Sequence, residues 1–259
     1  TKTIFFHFLY VIKLKSNFLR MLSKSQIKLI TSLKQKKHRL QYGLFVVEGV
    51  KTIKELLLSE LELASLYTTD PLNINAKQAE IISESELKRI SFLKSPNKAL
   101  ALFKIPKPKQ INFNELIVAL DDVRDPGNLG TIIRLCDWFG IKDLVCSQET
   151  VDCFNPKVIQ ATMGSVSRVN VTYLDLSVFL KDTKSPIFGT YMSGTSVYSE
   201  DLPKKGVLIL GNEANGISNE IEPFVTHKIS IPRFGDLQTT ESLNVATAAA
   251  IFLSEFKRR

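Results

Sequence analysis

Apolar positions along this chain change rhythm near its middle. In Met21–Gln41, Ile27, Ile30 and Leu33 recur at helical spacing, which predicts a helix that buries one stripe and shows the rest to solvent. Shorter patterns follow, reading as a strand over Gly43–Val47, a helix over Val50–Leu58, a strand over Leu63–Tyr67, a helix over Glu84–Ile90 and a strand over Ala99–Phe103. Residues 21–105 thus read as a small α/β domain. The segment Lys104–Asn112 (KIPKPKQIN) has two prolines, three lysines and no apolar period, so residues 106–112 are expected to be a linker. Beyond it, apolar runs at Leu116–Leu120, Asp143–Cys146, Ile187–Tyr191, Val207–Leu210 and Ile229–Ile231 alternate with helical patterns. That alternation predicts, over residues 113–259, an α/β domain with an open, mostly parallel sheet. Ligands of such sheets sit beyond the carboxyl ends of the strands.

Composition narrows the class. The chain has 259 residues, 44% hydrophobic and 23% charged, enough to bury one or two cores and unlike a disordered tail. Cys136, Cys146 and Cys153 show neither a Cys-x-x-Cys pair nor zinc-ligand spacing, so a reducing, cytoplasmic setting is expected and no metal. The apolar run Ile4–Ile12 is interrupted by His7 and falls far short of the ~20 residues of a membrane span. No small-residue cleavage site follows it. Residues 1–20 are expected to be an extension outside the functional fold.

Charge separates the two halves. Residues 1–110 carry 20 Lys and Arg against 8 Asp and Glu, a balance of +12, while residues 111–259 come to −4. Lys24, Lys28, Lys34, Lys36, Lys37 and Arg39 lie in Met21–Gln41 with no acid among them. A solvated face is one reading of such a run; beside an acidic remainder, a grip on nucleic acid is the other.

Three clusters follow three of the predicted strands. In Asp121–Gly140 (DDVRDPGNLGTIIRLCDWFG), Pro126-Gly127 breaks the chain, Asn128 is placed to cap a helix, and Gly130 and Arg134 are four apart. That spacing would let a ribose or phosphate approach bare backbone and meet a guanidinium. Val207–Ser218 (VLILGNEANGIS) runs from a strand into Gly211, Glu213 and Gly216 without forming G-x-G-x-x-G, and no G-x-x-x-x-G-K-[ST] loop occurs. ATP-driven chemistry and a standard dinucleotide fold are therefore disfavoured. The third cluster leads from Ile231-Pro232 to Ser242-Leu243-Asn244, where Ser242 or Asn244 can cap an alanine-rich helix.

In this order the clusters resemble the three motifs of the SpoU (TrmH) family of RNA ribose 2′-O-methyltransferases, of the SPOUT class. Asn128 and Arg134 match the first motif, Gly211-Asn212-Glu213 with Gly216 and Ser218 the second, and Ile231-Pro232 with Ser242-Leu243-Asn244-Val245 the third. Asn155–Val158 and Met163–Ser165 are similar to the family's connecting segment, and Met21–Leu58 to its N-terminal RNA-binding domain. Glu213 is followed by Ala214 rather than the usual glycine, and Asp236–Thr240 lengthens the third motif.

The resemblance implies a trefoil-knotted C-terminal domain, a homodimer through that domain, and S-adenosyl-L-methionine (AdoMet) as methyl donor, held by Leu210, Gly211, Ile231 and Leu243. It also implies Arg134, Asn128, Glu213, Ser242 and Asn244 as the catalytic set, acting on ribosomal or transfer RNA held by the six cations of Met21–Gln41. Because a guanidinium keeps its proton, Arg134 is expected to stabilise the developing alkoxide rather than act as a base. Two other readings stand beside this one: a non-catalytic RNA-binding or ribosome-assembly protein that keeps the fold, and a base methyltransferase. The second lacks a distinct group to face a ring nitrogen.

Overall fold

The computed structural model describes residues 21–70, 79–235 and 242–258. The extension expected at 1–20 and the lengthened Asp236–Thr240 segment lie outside them. The chain divides into two compact units, one ending at Pro106 and the other beginning at Lys107.

In the first unit the basic stretch forms two helices rather than one, α1 (Lys24–Ser32) and α2 (Lys36–Tyr42). Ser23 and Gln26 open α1 with a reciprocal capping box. Its far end is closed by Arg39, whose Nη1 donates to the carbonyls of Leu33 and Lys34 at 2.9 Å each. Arg39 is only 2% exposed, which corrects its place among the RNA-gripping cations: its charge satisfies helix-end carbonyls instead of facing solvent. Lys24, Lys28, Lys34, Lys36 and Lys37 are all exposed, while Ile30 and Leu33 are fully buried.

Then come β1 (Leu44–Glu48), α3 (Val50–Leu57), β2 (Leu63–Thr68), β3 (Ala79–Ile81), α4 (Glu84–Ile90) and β4 (Ala99–Lys104). The sheet order is β1-β4-β2-β3, with β4 antiparallel to both neighbours and β3 parallel to β2. Three residues carry too little pattern for β3 to be legible beforehand. Glu48 is buried at the end of β1, where it accepts hydrogen bonds from the Ser91 hydroxyl and the Phe92 amide. Desolvation pushes its carboxyl above the ordinary range.

The second unit contains β5 (Leu116–Leu120), α5 (Pro126–Trp138), β6 (Asp143–Cys146), α6 (Pro156–Thr162), β7 (Asn170–Tyr173), α7 (Leu176–Lys181), β8 (Ile187–Ser196), β9 (Gly206–Leu210), β10 (His227–Ser230) and α8 (Val245–Arg258). Its six strands run in the order β10-β8-β9-β5-β6-β7, each pair parallel. Alternate residues face opposite ways, so Val118, Leu120, Leu208 and Leu210 pack with α5, α6 and α8 on one face, and Ile117, Ala119, Val207 and Ile209 with α7 on the other.

The half-buried edge strand β7 escaped the apolar pattern. Against it lies part of the stretch expected to be a linker, with the Lys109 amide donating to Asn170 and the Asn112 amide to Asp143. No helix among the described residues is long and apolar enough to cross a membrane.

Candidate functional site

Because β5 and β9 are neighbours, the loops that follow them leave the same end of the sheet side by side. Asp121 uses its amide to continue the ladder to the Leu210 carbonyl, and its buried carboxylate accepts the Ser218 amide at 2.7 Å. Asp122 then turns into the left-handed region, with φ of 58°. The turn is held by Asn212, whose Nδ2 donates to the Asp122 carbonyl at 2.7 Å and whose Oδ1 accepts the amides of Ala214 and Asn215. Ala214, where the family pattern has glycine, does not adopt the left-handed conformation that would favour glycine. At Gly211 a Cβ would stand 2.2 Å from the Gly216 carbonyl carbon. Only glycine lets the loop fold this tightly on itself.

Two sequence expectations about the first cluster need correction. The cap of α5 is Asp125, whose Oδ1 accepts the Asn128 amide at 2.8 Å with Pro126 in the first turn. The Asn128 side chain is thereby left for another use. Gly130 does not open backbone to a ligand either: it is buried, and a Cβ there would lie 2.4 Å from the Ala161 Cβ and 2.9 Å from the Val158 carbonyl oxygen. It permits the close approach of α5 and α6.

What Asn128 does instead is join the three clusters. Its Nδ2 donates to Glu213 Oε1 at 3.0 Å, and its Oδ1 accepts from Asn244 Nδ2 at 2.8 Å. Glu213 also faces the amides of Arg124 and Asp125 at 3.4 and 3.3 Å. Asn244, with its Oδ1, caps α8 through the amides of Ala246 and Thr247. Residues up to 116 positions apart thus form a directional chain, Asn244 to Asn128 to Glu213, ending on a carboxylate. Beside it the Arg124 guanidinium pairs with Asp122 at 2.7 Å, which raises its pKa further.

Glu213 also stands on the rim of a cavity of about 1240 Å³. Leu210, Gly211, Ile231 and Leu243, the four expected donor contacts, all line it, as does Ser242. The walls are completed by Thr190–Ser193 of β8, by Arg233 and Phe234, and by Val245, Ala248 and Phe252 of α8. The β8 residues had no signal in the sequence, since only the sheet order brings their strand beside β9.

Arg134 is not among the residues that line this cavity. It lies on the exposed face of α5 with Gly127, Thr131 and Trp138, about 9 Å along the helix axis from Asn128. Its guanidinium makes no hydrogen bond or ion pair among the described residues. The two histidines among the described residues are engaged elsewhere: His227 packs on Phe188 and meets Thr226 Oγ1, and His38 stacks on Tyr42. No group of three or more His, Cys, Asp or Glu side chains among the described residues could hold a metal.

Residues 115–254 match the model of the SpoU rRNA methylase family. The chain belongs to that family. Residues 24–101 match an MRM3-like substrate binding domain. Among characterised relatives of this SpoU member, the 23S rRNA (guanosine(2553)-2′-O)-methyltransferase RlmP of Bacillus subtilis is 29% identical over 231 residues, covering 85% of this chain and 91% of that protein. A TrmH-family structure from Porphyromonas gingivalis superposes with a TM-score of 0.82 at 37% identity, over 92% of this chain and 99% of the other. The AdoMet-bound rRNA methyltransferase of Sinorhizobium meliloti gives 0.82 at 30% identity, over 93% and 97%.

Proposed function

We propose that this SpoU-family protein transfers the methyl group of AdoMet to a ribose 2′-hydroxyl of ribosomal RNA. The observation that carries the reading is the Asn244–Asn128–Glu213 chain at the rim of a cavity lined by both later motifs. The cavity suits the donor in size and chemistry: apolar walls from Leu210, Ile231 and Leu243 meet main-chain polar groups of the Gly211–Ile217 loop. AdoMet, when bound, supplies a methyl group already activated by a sulfonium, so neither a metal nor ATP is required.

The protein's own task is alignment and charge. Holding an attacking oxygen in line is worth ~7–11 kcal/mol in favourable cases. Asn128 is well placed to do so because both ends of its amide are already committed, which fixes its plane. Ser242 adds a hydroxyl at the cavity wall. Arg134 is assigned to stabilising the alkoxide and an adjacent phosphate, a role for a cation that keeps its proton. In the first unit, Lys24, Lys28, Lys34, Lys36 and Lys37 are assigned to the RNA backbone.

A homodimer through the second unit, a knotted threading of its C-terminal segment and a cytoplasmic location complete the reading. Labelled AdoMet with total RNA tests it: label on ribose supports the proposal, label on a base indicates the other SPOUT chemistry, and no label indicates a non-catalytic RNA-binding protein.

A further inference from the structure

Four residues beyond β10, Phe234 leaves 83% of its surface in water while also lining the mouth of the cavity. The other two aromatic residues of the lining are differently placed. Phe252 is 3% exposed in the core, and Tyr191 lies partly buried beneath the Lys228 ammonium, 4.8 Å from its ring centroid. Phe234 therefore offers the lining's exposed aromatic face, next to the cation Arg233, at the carboxyl end of the sheet where an acceptor must arrive. A phenylalanine ring held in water has no packing role to lose there, and it gains most from a flat π-surface.

The proposed substrate suggests what flat surface comes. RNA is recognised site-specifically mostly in single-stranded loops and bulges, whose splayed-out bases stack on aromatic side chains. We propose that Phe234 is a specificity-determining platform on which the base of the methylated nucleotide stacks, with the Arg233 cation at its edge. The inference rests on the RNA-methyltransferase reading and adds a residue to it. The donor is assigned to other residues of the lining, Leu210, Gly211, Ile231 and Leu243, so on this reading loss of the Phe234 ring acts on RNA and leaves the donor's affinity alone.

The test uses the full chain, ribosomal RNA from cells lacking the gene, and labelled AdoMet. Phe234→Ala raises the KM for RNA about ten-fold with the AdoMet Kd by calorimetry unchanged, and Phe234→Tyr retains activity. Phe234→Leu keeps apolar bulk without a π-face and so behaves like the alanine variant. In Phe234→Trp, the added indole fluorescence is quenched on mixing with the RNA, measured against the parent chain with its single native tryptophan.

A leucine variant equal to the parent, an alanine variant that weakens AdoMet instead, an altered oligomeric state, or an unquenched indole overturns the proposal. If the parent chain transfers no methyl group to any RNA, the functional reading fails by itself. The quench measurement still decides whether Phe234 receives a base.

Discussion

The two units use polar residues in opposite ways. On the first, five lysines stand out from α1, α2 and the turn between them, and in the proposed role each would act on a polyanion nearly independently through screened attraction. At the carboxyl end of the second unit's sheet, Asn128, Glu213 and Asn244 are locked into one hydrogen-bonded chain, where a displacement at any member moves the others. Charge at a surface tolerates imprecision, whereas an aligned site does not. The first unit should therefore lose function gradually and the second abruptly.

The largest effect is expected at the cation that the cavity does not include. Arg134→Ala should lower methyl transfer by about 100-fold or more, the usual consequence of removing a charge stabiliser, with RNA and AdoMet binding intact in calorimetry. Unchanged turnover would remove Arg134 from the chemistry. Asn128→Ala breaks the chain at its centre and should reduce kcat by roughly 100-fold, as loss of alignment does, with little change in the AdoMet Kd. If kcat holds and the donor binds more weakly, the chain serves the cavity rather than the acceptor.

Gly130→Val tests the scaffold behind the site. The added atoms meet Ala161 and the Val158 carbonyl, so chemical denaturation should show a loss of ~1–3 kcal/mol. Reversing Lys34, Lys36 and Lys37 to Glu should weaken RNA binding and flatten the log–log salt slope by about two. Arg39→Ala, in the same basic stretch, should destabilise the first unit and leave that slope alone; a slope that flattens with Arg39 would return it to the RNA surface.

The smallest effect concerns Glu48. Its carboxyl is raised by burial, so its contribution to stability is fully present below the ordinary value of 4.5 and is lost as pH rises through the raised value. Glu48→Gln should remove that decline from a stability-versus-pH curve. An unaltered curve would show that the bonds from Ser91 and Phe92 keep Glu48 ionised.

Local chemistry explains what could be read in advance. Strands β5, β6 and β9 are runs of apolar residues whose length and alternation with helices leave little freedom, and α4 begins and ends where its pattern does. Elements without such a signal were missed: β3 has three residues, and β7 shows a half-buried edge instead of an apolar run. Ambiguous capping residues were misread. Asp125 and Asn128 both suit a helix start, and only the geometry shows that Asp125 takes the cap and releases the Asn128 side chain. Arg39 was indistinguishable from its lysine neighbours until α1 and α2 were seen to part around its guanidinium.

Residue types and spacing by themselves determined the parallel α/β class and the three chemically dense stretches, because each is carried by short local patterns, and the split of charge between halves, because it is a sum that needs no knowledge of which residues touch. Only tertiary structure decided that Asn244, Asn128 and Glu213 share one chain of hydrogen bonds, that Gly130 serves helix packing, and that β8 supplies a cavity wall. These depend on which strands lie side by side. Strand order is set by the burial of whole faces, a sum over the domain that no short window of sequence contains.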